Sequence, residues 1–171
     1  MDERRLLLSQ KLKINKQKNQ RINLINSLPL DMSNVIEKSD LITSPESDKI
    51  LDKIHEKWNH ELHSKDFIFK YKDFRNEFSW EEEVVQFVQG IVIEVKLAYL
   101  FFGIDDSPMF LVDGNWVIQH FDTLWNSINN EDVWIIGQNF NYGVIVSCYA
   151  GYLEHDPNPE EIHFAITRWN N

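Results

Sequence analysis

Val133-Trp134-Ile135-Ile136-Gly137-Gln138-Asn139-Phe140-Asn141-Tyr142-Gly143-Val144-Ile145-Val146-Ser147-Cys148-Tyr149 holds two strongly apolar runs and the turn between them. In the first run Val133 and Ile135 alternate with Trp134 and Ile136, so both faces are apolar. That is the pattern of a central strand covered on both sides. Glycines and asparagines between residues 137 and 143 tolerate positive φ, so a hairpin turn is expected to return the chain antiparallel into Val144–Tyr149. Gly151 then marks a bulge or second tight turn before Tyr152-Leu153-Glu154.

Working back from this hairpin, Asn115 is a candidate helix cap. Val117, Phe121, Leu124 or Trp125, and Ile128 follow at the three-to-four spacing of one buried helical face, and Asn129 to Asp132 end the helix. Forward of it, Ile162 to Trp169 alternates and reads as a last strand of the same sheet, after the rigid loop His155-Asp156-Pro157-Asn158-Pro159. Met109–Val112 and Val95–Phe102 read as further strands, while Ile91–Glu94 fits helix and strand equally. Asp66–Lys72 alternates Phe67, Phe69 and Tyr71 with polar positions and reads as another, with Asp73–Phe78 as a connecting loop. Ser79-Trp80-Glu81-Glu82 has the form of a capping box opening a helix buried through Val84, Val85, Phe87 and Val88 and stopped at Gly90. Ser44-Pro45 predicts the start of a helix with Ile50 or Leu51, Ile54, Trp58 and Leu62 inside, and residues 31–43 read as loop with a short helical turn. The expected fold class is α+β: a single acidic domain over 31–171, with a largely antiparallel sheet against several helices near 45–64, 80–89 and 115–129. A basic helical arm over 1–30 precedes it, helical over about 3–26.

A chain of 171 residues with 43% hydrophobic content can bury a sizeable core in one domain. The apolar segment Ile91–Ile104 is interrupted by Glu94 and Lys96 and is too short to span a bilayer, so no membrane insertion is expected. Leu6-Leu7-Leu8 gives way at once to Gln10, Lys11 and Lys13, unlike a secretory signal. The single cysteine, Cys148, suits a reducing compartment and a cytoplasmic location. Net charge is −10, but it is unevenly placed: residues 1–22 hold seven bases against two acids, leaving a balance of −15 on the rest. An acidic body repels nucleic acid and anionic lipid and steers basic partners toward itself. Contact with nucleic acid is therefore expected only through the arm, which lacks the aromatic residues of a single-strand stacking platform.

The motifs of common chemistries are missing. There is no glycine-rich phosphate loop and no Gly-x-Ser-x-Gly elbow, and Cys148 lies inside an apolar strand, where a thiol is inert. His55 and His60 look like a zinc-protease pair but are five residues apart, about 140° around a helix, where the signature needs four. Glu56, His60 and His63 do share a face, yet polar helix faces carry such groups without a metal, so no metal or cofactor is assigned. Asp105, Asp106 and Asp113 match no calcium loop. Glu154, His155, Asp156, Glu160, Glu161 and His163 form the one place where an acid–base pair can be argued from sequence proximity.

The strand-turn-strand from Asp132 to Glu154, with the preceding helix carrying Trp125, resembles the C-terminal half of small bacterial immunity proteins from polymorphic toxin systems. The resemblance covers about a third of the chain, and the SUKH group of such proteins is a neighbour, although its proline-led helix and asparagine-glycine signature is not visible here. It implies a non-enzymatic protein that binds a cognate toxin and blocks its active site. An acidic surface with Glu81, Glu82, Asp105, Asp106, Glu154 and Asp156 is the expected contact for a basic toxin domain. Two other classes compete: a small metal-dependent hydrolase using His60 and His63 or His155 and Asp156, and an adaptor tethered by the basic arm.

Overall fold

The computed structural model describes residues 3–62, 75–92, 96–103, 107–128, 132–150 and 162–170. Along the chain run α1 (Glu3–Ser27), α2 (Leu30–Lys38), β1 (Asp40–Ile42), α3 (Glu46–Leu62), β2 (Arg75–Phe78), α4 (Glu81–Gln89), β3 (Leu97–Phe102), β4 (Met109–Asp113), α5 (Gly114–Gln119), α6 (Phe121–Ser127), β5 (Val133–Gly137), β6 (Tyr142–Ala150) and β7 (Ile162–Asn170). The strands form one seven-stranded sheet in the order β1-β4-β3-β5-β6-β7-β2, with every neighbouring pair antiparallel. The fold is a single α+β domain with an N-terminal helix. None of its described helices is long and apolar enough to cross a membrane.

β5 occupies the middle of the sheet, which explains why its sequence is apolar on both faces. Val133 and Ile135 enter one core layer together with Leu100 and Phe102 of β3, Phe110 and Val112 of β4, Val144 and Val146 of β6, and Phe164 and Ile166 of β7. Ile136, with Phe101, Met109 and Ile145, enters the layer on the other face, where Trp134 also packs. The first layer is roofed by the C-terminal half of α1 together with α2, α4, α5 and α6, and the second by Ile50 and Ile54 of α3. Period-two alternation in the strands thus meets period-3.6 stripes in helices on both sides.

Several local details differ from the sequence expectation. The helix expected over 115–129 is two helices. His120 leaves helical geometry (φ −109°, ψ 15°), and its ring Nδ1 meets the Trp116 carbonyl oxygen at 2.9 Å, the same oxygen that its own backbone N–H reaches. The buried face Val117, Phe121, Leu124, Trp125 and Ile128 survives the break because α6 resumes immediately. The cap is Asp113, whose carboxylate accepts from Trp116 N at 3.1 Å, not Asn115. Ser79 does not cap α4: Trp80 holds the N-cap position with no side-chain hydrogen bond. Residues 31–43 are mostly regular, as α2 and the edge strand β1, because Met32 and Ile36 seat one helical face in the core. Residues 75–78, read as loop, form the edge strand β2 paired with β7. The strand expected at Asp66–Lys72 lies outside the described residues, as do Gly151 and the loop after it.

The β5–β6 turn also works differently. No described glycine has positive φ; Phe140 does, at 61°. Its ring packs near Tyr99 (centroids 5.9 Å) and its carbonyl accepts from Trp169 Nε1 at 3.2 Å, so tertiary contacts hold this conformation. Gly143 is required for space. It pairs with Trp169, and a Cβ there would fall 1.9 Å from the indole ring.

Candidate functional site

α4 follows the edge strand β2 and is anchored by Val84 and Val88, both fully buried one turn apart. Fixing those two leaves Glu81, Glu82, Val85 and Gln86 on the flank that turns toward α6. In α6 the anchors are Phe121, Leu124 and Trp125, leaving Asp122 and Asn126 on the facing flank. Between the two helices runs a groove of about 350 Å³, lined by Glu81, Glu82, Val85, Gln86, Asp122 and Asn126 over Trp125. Trp125 is held rigidly below it, stacked on Phe121 (centroids 5.4 Å) and edge-on to Phe164 (5.3 Å). Asn126 Nδ2 donates to Asp122 Oδ1 at 2.8 Å, fixing one carboxylate of the wall. Trp80, 67% exposed, stands at the head of α4 next to Glu81.

Three carboxylates, two amides and an apolar floor suit cationic and amide groups of a protein partner. The N-terminal end of α4 stabilises Glu81, Glu82 and Glu83 where they stand, so the concentration of charge there costs the fold little. No group of three or more His, Cys, Asp or Glu side chains among the described residues is placed to hold a metal. A second cleft, of about 310 Å³, lies between Gln20 and Leu24 of α1 and Phe102, Pro108 and Ile128, and no charged side chain lines it.

Of the residues singled out from sequence, the structure brings Glu81 and Glu82 together in this groove. Asp105, Asp106, Glu154 and Asp156 lie outside the described residues, as do His63 and the side chains of His55 and His60. Asp122 was not anticipated. Its signal was its position three residues before Trp125 and four before Asn126, on the polar edge of the helix whose other face the sequence marks as buried.

The basic arm is partly spent on its own body. Lys13 Nζ pairs with Asp48 Oδ1 of α3 at 2.7 Å, and Arg21 Nη2 reaches the carbonyls of Ile36, Glu37 and Ser39 at the C-terminal end of α2, where a cation also complements the helix dipole. Burial alone would raise the Asp48 carboxyl, but hydrogen bonds from Lys13 and Ser44 and the Lys13 charge outweigh it and hold it below the ordinary value.

The YokC prophage protein family matches residues 1–168, which takes in the arm, the sheet and both groove helices. The chain belongs to that family. It is 56% identical over 169 residues, 99% of each chain, to the SPbeta prophage-derived uncharacterized protein YokC of Bacillus subtilis (strain 168). Neither match shows a link to the immunity proteins that the Asp132–Glu154 region resembles, or to their SUKH group. No solved structure matches the chain.

Proposed function

We propose that this YokC-family chain is a non-enzymatic binding protein, an immunity protein that engages and neutralises a basic bacterial toxin domain through its acidic surface. The observation that carries the reading is the groove in which Glu81, Glu82 and Asp122 stand over Trp125, with Trp80 exposed at the N-cap of α4. Toxins that attack nucleic acid need cationic clefts. The acidic N-terminal end of α4, with Trp80 exposed beside it, enters such a cleft and presents charge where phosphate would lie. Charge on both partners speeds encounter, and the buried aromatic contact slows release.

The test starts from a tagged chain in its native cells and the basic protein retained with it in stoichiometric amount. That protein is then expressed alone, with the wild-type chain, and with E81Q/E82Q/D122N. The expected result is growth arrest, rescue by the wild type, and loss of rescue by the triple variant, with binding weakened at least tenfold in calorimetry. Full rescue by the triple variant, or a retained protein that is harmless when expressed alone, would overturn the reading.

A further inference from the structure

The face that docks α1 onto the body runs through Gln17 and Leu24, both buried, and is continued past the end of the helix by buried Leu28. Toward the N-terminus that cover ends: from Arg4 to Leu12 every side chain is exposed, including Leu6, Leu7, Leu8 and Leu12. At about 100° per residue, Leu8 and Leu12 form one stripe on the side of the helix opposite the docked face. Arg5 and Lys16 flank that stripe on one side and Arg4 and Lys11 on the other. An apolar stripe between two basic borders is complementary in charge to the α4–α6 groove, where Glu81, Glu82 and Asp122 border the half-buried Val85.

The arm cannot reach its own groove. α1 is one unbroken helix from Glu3 to Ser27 with its C-terminal half seated in the core, so turning the first ten residues back would require melting it. Two arms side by side would oppose like charges. An anionic membrane would attract the arm but leaves the carboxylates of the groove unmatched. A second copy offers both complements at once, a basic arm for the groove and a groove for the arm, and these two contacts have to outweigh the repulsion between two acidic bodies. We infer that two copies exchange arms, the exposed segment around Leu8 and Leu12 of each lying in the Glu81–Glu82–Asp122 groove of the other. The exchange is two-fold symmetric, so two short helix-in-groove contacts act together where one alone would fall at the small end of stable interfaces. The inference shares the groove with the proposed function but does not require a toxin partner.

The experiment is the molar mass of the full chain by light scattering and sedimentation, across micromolar concentrations at low and high salt. The wild type is expected at twice the 20.4 kDa chain mass at low salt, shifting toward the single mass as salt rises. L8D/L12D, whose wild-type leucines are exposed, is expected to run at the single mass, to keep the wild-type circular dichroism, and at high salt, where both chains are monomeric, to keep the wild-type melting midpoint. R5E/K11E and E81K/E82K are each expected to be monomeric, and the chain carrying all four to recover the double mass. A wild-type chain that stays at the single mass at every concentration, a dimer untouched by L8D/L12D, or a monomer whose arm binds anionic vesicles would overturn the arm exchange. The arm and a toxin would compete for one groove, so rescue is read separately: L8D/L12D leaves the groove's carboxylates in place and is expected to rescue from the toxin even where the double mass is lost.

Discussion

Gln17 joins three segments that are far apart in sequence. It is 1% exposed, its Nε2 donates to Ser47 Oγ and to the Ser107 carbonyl, each at 3.3 Å, and its Oε1 accepts from Ser44 N at 3.0 Å. α1, the start of α3 and the β3–β4 turn are thereby tied at one amide. Gln17→Ala strips the partner from a buried Ser44 N–H, and stability is expected to fall by about 2–3 kcal/mol, measured as a lower urea midpoint at unchanged slope. Gly143 carries a different constraint. Gly143→Ala sets a methyl group inside the Trp169 ring and is expected to cost about 1–3 kcal/mol by overpacking. In a Trp169→Ala background the same substitution is expected to cost little, and the double-mutant cycle reads the coupling directly.

At the level of elements, the join between α1 and α3 is electrostatic where it meets water. Asp48 accepts from Ser44 Oγ at 2.6 Å as well as from Lys13, and its carboxyl pKa lies below its unfolded value. A carboxylate depressed in the folded state stabilises fully above its unfolded pKa of about 4, and that stability is lost as pH falls through the lower folded value. Both side chains are about a third exposed, so the effect is modest and screened by salt. Asp48→Asn is expected to lower the melting midpoint slightly at neutral pH and to leave a shallower loss of stability on acidification than the wild type shows. The elements themselves were legible where periodicity was long and unambiguous: β5, β6, β7, the stripe of α4 and the Ile50–Ile54 part of the α3 stripe, whose Trp58 and Leu62 side chains lie outside the described residues. β2 was not, because Arg75-Asn76-Glu77-Phe78 has a single core residue, and its strand character comes from pairing with β7 and from Phe78 packing on Phe87 at 5.2 Å. The break at His120 was hidden because the apolar spacing continues through it. The groove was half legible: the acids of α4 stand out in the sequence, but their neighbour Asp122 comes from a helix forty residues later and is brought close by the packing of both helices on one sheet face.

For the molecule as a whole, the basic N-terminal region is two things in one helix. From Arg4 to Leu12 every side chain is exposed. From Lys13 onward it contributes the ion pair to Asp48, the Gln17 tie, the Arg21 contacts at the end of α2, and Leu24 and Leu28 in the main core layer. Charge changes where structure does not, so composition alone places a boundary near residue 30 while packing places one near residue 12. Removing residues 1–12 is therefore expected, at high salt where the full chain is monomeric, to leave the circular dichroism and melting midpoint within about 2 °C of the full chain, because the side chains from Arg4 to Leu12 are exposed. Removing residues 1–22 also deletes the buried Gln17 and both cationic ties, leaves Leu24 on a helical stub too short to hold itself, and is expected to lower the midpoint by more than about 10 °C or to prevent folding. If instead both truncations melt like the full chain, the first twenty-two residues are an appendage. The body would then owe its stability to the sheet and the remaining helices alone.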